Sequence, residues 1–397
     1  MLWCSLVGAG SLPAPDTYRD AMLAISEGRM ADAEQALSLL ASAEPSHAGA
    51  WLDMAMLYCA AGNATAAEQF FLEIERRFAP PPPILAVIAH QRRLGCAGSG
   101  AKIAMTLRLG RGFESNVNQG ANSPSFTLGS GVNQVELVLL PAYRPHGDQF
   151  TGLAAEWARE FSPHGTTGVL QLQSRLYDRW TGYNTSSLFL GVEQPWRWGD
   201  WGGRVAGSAG WMTLDGQMYL RQTQLQLEVL PPLPLPAGWQ LGLLGGWSEM
   251  VYPGLTGLNA QWREARSTLS FRQGDAGWQA SAGVVQDQAQ GQRPGGARAG
   301  VLASWQGHMG LGQGVLGELG WQSQRWMAEQ DYFPGLMDVR RLQRTQILRA
   351  AATFPLRDEQ ALVLEFKNIQ NIENISLFGY RNRVLQLTWQ WQPSRRR

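Results

Sequence analysis

The 397-residue sequence predicts a multidomain α+β chain, a short α-solenoid followed by a transmembrane antiparallel β-barrel of about fourteen strands, with sixteen also compatible. Three observations lead there. Composition changes sharply near residue 100, the first hundred residues repeat with a period of 34, and the remainder alternates polar and apolar residues in twos.

Residues 1–100 carry two of the seventeen tryptophans and eight of the forty-six glycines. They are rich in Ala, Glu, Leu and Met, which are good helix formers. The rest is rich in Gly, Trp, Gln, Val and Leu. The organisation predicted is a leader remnant or disordered N-terminus at 1–14, a helical repeat domain at 15–95, a Gly-rich linker at 96–101, a barrel at 102–391 and a basic tail at 392–397.

Whole-chain numbers narrow the classes. Charged residues are 16%, against about 25% in soluble domains. No apolar run is long enough for a transmembrane helix. A net charge of +1 with mixed signs gives no footprint for nucleic acid. Cys4, Cys59 and Cys96 suggest neither a disulfide framework nor a metal site.

The helical repeat comes first. Ala33-Glu34-Gln35 recurs as Ala67-Glu68-Gln69, and the same shift of 34 carries Ala21 to Ala55 and Gly28 to Gly62. Framed at 48–81, the second unit places Trp51, Ala55, Tyr58, Gly62, Ala67 and Phe71 where a tetratricopeptide repeat wants Trp, small, Tyr, Gly, Ala and Phe. Framed at 14–47, the first places Ala21, Gly28, Ala33 and Pro45 likewise. Small alanines let the two helices of a unit approach closely. After Pro80–Pro83, residues 84–94 read as one more amphipathic helix, the cap of a short solenoid. The first helices of the two units would line a groove for cargo with Tyr18, Met22, Ile25, Leu52, Met56 and Cys59.

The second segment reads as short antiparallel strands. Gln171, Gln173 and Arg175 alternate with leucines, and Gln224, Gln226 and Glu228 with Leu225, Leu227 and Val229. Glu264 and Arg266 oppose Ala265 and Ser267; Glu365 and Lys367 oppose Leu364 and Phe366. Glu228, Glu264 and Glu365 are expected to balance Arg175, Arg266 and Lys367. A polar face of this kind suits a wet lumen, and its apolar opposite suits lipid. Trp196, Trp198, Trp201, Trp239, Trp278, Trp305, Trp321 and Trp326 lie beside turns or loops, with Tyr143, Tyr177, Tyr183 and Tyr252, as in the girdles of membrane barrels. Fifteen stretches qualify as strands, including 134–144 and 340–354, with longer loops at 113–133, 249–259, 287–297, 326–338 and 369–381. Single-chain bacterial barrels have even strand numbers, so one candidate is in excess or one is hidden.

Two short runs carry a resemblance. Gly112-Phe113-Glu114-Ser115-Asn116-Val117-Asn118 is similar to the Gly-aromatic-Asp-Ser-Asn-Val-Asn run that opens the barrel of the surface lipoprotein assembly modifier family, with Glu114 where that family has Asp. Lys367-Asn368 and then residues 374–382 resemble the last loop and closing strand of those barrels. The motif residues carried over are Gly112, Phe113, Glu114, Asn116 and Asn118.

The resemblance implies an outer-membrane protein with its repeats in the periplasm. They would receive an exported protein or lipoprotein cargo, and the barrel would guide it to the surface. It further implies partnership with the barrel-assembly machinery and outer-membrane lipid, a monomeric state and no cofactor. An exopolysaccharide export porin shares the repeats-plus-barrel plan, and an envelope scaffold is a third reading. Met1–Ala14 lacks a basic signal-peptide start, so the true start is expected upstream. His47, His90, His146, His164 and His308 show no ligand or triad spacing, so neither metal, nor cofactor, nor catalysis is expected.

Overall fold

The structure, a computed structural model, describes residues 17–26, 29–44, 46–60, 63–78, 80–94, 103–129, 134–162, 165–357 and 359–393. The leader at 1–14, the linker at 96–101, residues 394–397 of the tail, Gly28, Pro45, Gly62, His164, Cys4 and Cys96 lie outside the described residues. The chain divides into two compact units at residues 102/103.

Among the described residues the first unit holds five helices: α1 (Thr17–Ser26), α2 (Met30–Ala43), α3 (Ala48–Ala60), α4 (Ala64–Phe78) and α5 (Pro82–Leu94). Helix α1 packs on α2, α3 on α4, and α2 on α3. Ala21, Ala33, Ala55 and Ala67, the small positions of the 34-residue frame, are all fully buried, as is Phe71. A methyl in place of a larger side chain is what permits these close helix approaches. Asn63 caps α4, its Oδ1 accepting from the Ala66 amide at 3.1 Å. His47 does the same for α3 through Nδ1 and the Ala50 amide, at 3.0 Å.

The second unit is a closed antiparallel barrel of fourteen strands. In chain order these are β1 (Ile103–Glu114), β4 (Asp148–Glu160), β5 (Thr167–Tyr177), β6 (Thr185–Trp198), β7 (Trp201–Leu214), β8 (Gln217–Leu230) and β9 (Trp239–Val251). Then come β10 (Ala260–Gln273), β11 (Ala276–Ala289), β12 (Arg298–Gly312), β13 (Val315–Phe333), β14 (Met337–Arg357), β15 (Gln360–Glu373) and β16 (Tyr380–Trp391). β1 closes the circle by pairing with both β4 and β16.

The excess candidate strand was 134–144. Here the chain makes β3 (Val135–Val138), which pairs only with β2 (Ser125–Leu128) in a separate two-stranded sheet within the 115–147 loop. Four residues cannot span a bilayer, which takes about 9–11 in a tilted strand, and Pro141 opens a 3₁₀ turn directly afterwards. The expected loop at 326–338 is instead mostly strand. β13 and β14 run on for 19 and 21 residues and leave only a short tip at 334–336.

Most connections at one end of the barrel are tight, as at Gly199-Asp200, Gly274-Asp275 and Gln313-Gly314, although 231–238 takes eight residues. The other end carries the long ones, led by 115–147. One exception is Asp215-Gly216, a two-residue turn at the long-loop end with φ of 50° and 75°, the positive values a type I′ hairpin needs.

Candidate functional site

Strand pairing fixes which side chains share a face, because paired residues point the same way and neighbours in sequence point oppositely. Starting from β10, Glu264 pairs with Gly246 and Val285, and Arg266 with Leu244 and Gly283. Following the registers around the barrel places all ten expected lumen residues on one continuous face: Gln171, Gln173, Arg175, Gln224, Gln226, Glu228, Glu264, Arg266, Glu365 and Lys367. That face is the inner one, since a cavity of about 820 Å³ is lined jointly by Gln240 and Arg272 of β9–β10 and Lys367 of β15.

The opposite face is apolar and exposed: Leu172, Val192, Leu225, Leu227, Val284, Val301, Leu319, Leu364 and Leu385 all point outward. An exposed apolar band of this extent around a polar-lined interior belongs to a membrane-spanning barrel. Trp196, Trp198, Trp201, Trp239, Trp278, Trp305 and Trp321 are on this outer face. Trp326 and Tyr177 are corrections to the expected girdles: their registers turn them inward, and both are buried.

The inner face is held by ion pairs, several of them between neighbouring strands. Arg204 bridges Glu228 at 2.7 Å and Glu193 at 3.0 Å. Arg349 bridges Glu365 at 2.5 Å and Glu318 at 2.7 Å. Arg266 pairs with Glu264. The expected balance thus holds for Arg266 only; Arg175 pairs with Glu114 at 2.7 Å, and Lys367 has no acidic partner among the described residues. Arg204, Glu318 and Arg349 were missed because their strands alternate less regularly: β7 has glycine or alanine at most inward positions, and β13 and β14 place Leu316 and Ile347 on the inner face.

The two resemblance motifs meet at the seam where β1 and β16 join. Glu114 is buried and accepts from Arg175 Nη1 at 2.7 Å, Tyr177 Oη at 2.6 Å and Asn382 Nδ2 at 2.5 Å. Asn116, also fully buried, donates from Nδ2 to the Gly120 and Arg381 carbonyls and accepts from the Gly120 amide. Asn118 ties the start of the long loop to its end through the Ala142 and Arg144 carbonyls and the His146 amide. Gly112 faces Phe150, whose ring would lie 2.5 Å from any Cβ placed there. Phe113 points outward and is exposed.

A second buried cluster pins the 290–297 loop. Asp287, fully buried, accepts from Arg293 Nη1 at 3.0 Å and Arg298 Nε at 3.0 Å. Burial pushes the Arg293 guanidinium below its ordinary value, against the pull of Asp287.

In the helical unit the six groove candidates separate. Met22 is exposed. Tyr18 donates from its hydroxyl to Asp53 at 2.7 Å and packs on the His47 ring, and Ile25 packs against the first core. Leu52 and Met56 are half-buried against the second core. Cys59 is buried, so it offers no groove surface.

The tetratricopeptide repeat family model matches residues 24–90. That confirms the 34-residue reading of the first unit. No curated protein matches the chain. Among solved structures, an anion-selective porin from Comamonas acidovorans is similar at 9% identity, covering 74% of this chain and 99% of the porin, with a TM-score of 0.39. OccAB3 of Acinetobacter baumannii is similar at 8% identity over 74% of this chain and 100% of its own, with a TM-score of 0.39. The outer-membrane protein OmpT of Vibrio cholerae, as a loop-deletion mutant, gives 8% identity, coverage of 74% and 99%, and a TM-score of 0.36.

Proposed function

We propose that this protein is an outer-membrane conduit for polypeptide cargo, a lipoprotein or small secreted protein, with its repeats in the periplasm receiving that cargo. The apolar outer band and polar interior support a barrel transport role in the outer membrane. Short turns and both ends of the barrel share one side of it, which in such barrels is the periplasmic side.

The observation that carries the polypeptide reading is the chemistry of the inner face. By register, its aromatics are Phe150, Tyr177, Phe189, Trp262, Trp326 and Tyr380, all in the half next to the long loops and none exposed. Elsewhere the lining is mainly glutamine, serine, small or aliphatic residues and charge, most of it paired. A polysaccharide conduit would offer aromatic faces for sugar rings to stack on. Amides and balanced ion pairs instead hydrogen-bond to any extended backbone without fixing on one sequence.

Photo-crosslinking in living cells tests this. A benzophenone side chain replacing Gln226 should yield polypeptide adducts that depend on residues 15–95, whereas one replacing Leu225 should yield lipid adducts. Glycan adducts at position 226 would favour the polysaccharide porin and overturn the reading.

A further inference from the structure

Seven inward arginines of the strands, at 108, 175, 204, 266, 298, 341 and 349, each hold a carboxylate. Arg272 and Lys367 differ: among the described residues neither has an acidic partner, yet registers turn both inward. They line the same cavity of about 820 Å³, together with Arg349 and one carboxylate, Glu318, which Arg349 already occupies. Gln240, Gln279, Gln306 and Gln322 add amides to the wall, beside His308 and several tryptophans. Gln306 Nε2 donates to Gln279 Oε1 at 3.0 Å, and the free Nε protons of such a ladder can serve a further acceptor.

Two like charges that share a cavity and lack an acidic partner repel each other, and the walls of a cleft focus their field. An oxyanion relieves both, through hydrogen bonds that are charge-assisted and stronger than neutral ones. We propose that this cavity is an oxyanion site in the lumen wall, one that takes the carboxylates of an acidic polypeptide segment or inorganic phosphate. The site stands on the barrel alone and does not depend on which cargo the conduit carries.

Equilibrium dialysis of the full chain in detergent tests it, with inorganic phosphate in one arm and hexaglutamate in the other. Saturable binding is expected in at least one arm. The double variant R272Q/K367Q should weaken it about tenfold or more, the loss of roughly one charge-assisted contact. Neither residue has an ion-pair partner to orphan, so the fold should survive, and K367Q alone should show a smaller loss. The control R108Q, an inward arginine that does not line this cavity, should stay within about twofold. Tighter hexaglutamate binding points to a polypeptide source, and tighter phosphate binding to a free ion. No saturable binding in either arm, binding unchanged in R272Q/K367Q, or an equal loss in R108Q would overturn the site. A barrel that crosslinks polypeptide at position 226 but binds neither probe keeps the conduit and loses the site.

Discussion

Asn382 Nδ2 donates to Glu114 Oε1 at 2.5 Å, joining the last strand of the barrel to the first on its inner face. The other Glu114 oxygen takes Arg175 and Tyr177, so one buried carboxylate gathers β1, β5 and β16. The backbone of Asn116 adds a second tie, donating to Asn382 Oδ1 at 3.2 Å. E114Q would leave the Arg175 guanidinium without its charge partner and should cost about 2–4 kcal/mol. Urea unfolding of the reconstituted barrel measures this, and E114Q/R175Q should recover part of the loss.

Gly112 sits where only a hydrogen fits, between the Phe150 ring and the Leu385 carbonyl. G112A should destabilise the barrel by about 1–3 kcal/mol through overpacking. G112A/F150L should regain stability, because the flexible leucine can retreat from the new methyl. The comparison is again the urea midpoint.

Asp287 holds Arg293 and Arg298 from a fully buried position. D287N removes the charge and leaves two guanidiniums competing for one amide. The 290–297 loop should open, and trypsin added to intact cells should cleave after Arg298 in the variant much faster than in the parent chain. Equal cleavage rates would show that the cluster does not hold the loop.

In the helical unit, the hydrogen bond to Asp53, with burial, raises the Tyr18 hydroxyl above its ordinary value of 10.0, and Glu34 does the same to Tyr58. A raised folded value means the folded chain keeps these protons longer than the unfolded one. Their contribution is therefore complete below pH 10 and is lost as pH rises past it through the folded values. Helical melts followed by circular dichroism should show a steeper alkaline loss in the parent chain than in Y18F/Y58F.

Much of this was legible because alternation is a local signal. In β8 the run Gln222 to Val229 states both faces outright, and the register merely joins it to its neighbours. Likewise Ala33 and Ala67 needed no partner to announce a repeat. What was not legible depends on the partner. Lys367 alternates like any lumen residue, and only the position of Arg349 between Glu318 and Glu365 shows that it is left without an acid. Trp326 was assigned by its place beside a loop, whereas its parity with Gln322 and Gln324 turns it inward. Val135–Val138 has the composition of a strand, and only its length and the following Pro141 keep it out of the barrel wall.

The central claim is that the barrel crosses a membrane with its glutamine-rich face around a watery lumen and its leucine-rich face in lipid. Single cysteines along β8 test it most directly, with a small hydrophilic thiol reagent applied to the chain in bilayers. Q224C and Q226C should be labelled and L225C and L227C protected, in strict alternation. Labelling of the leucine positions with protection of the glutamine positions would contradict the account.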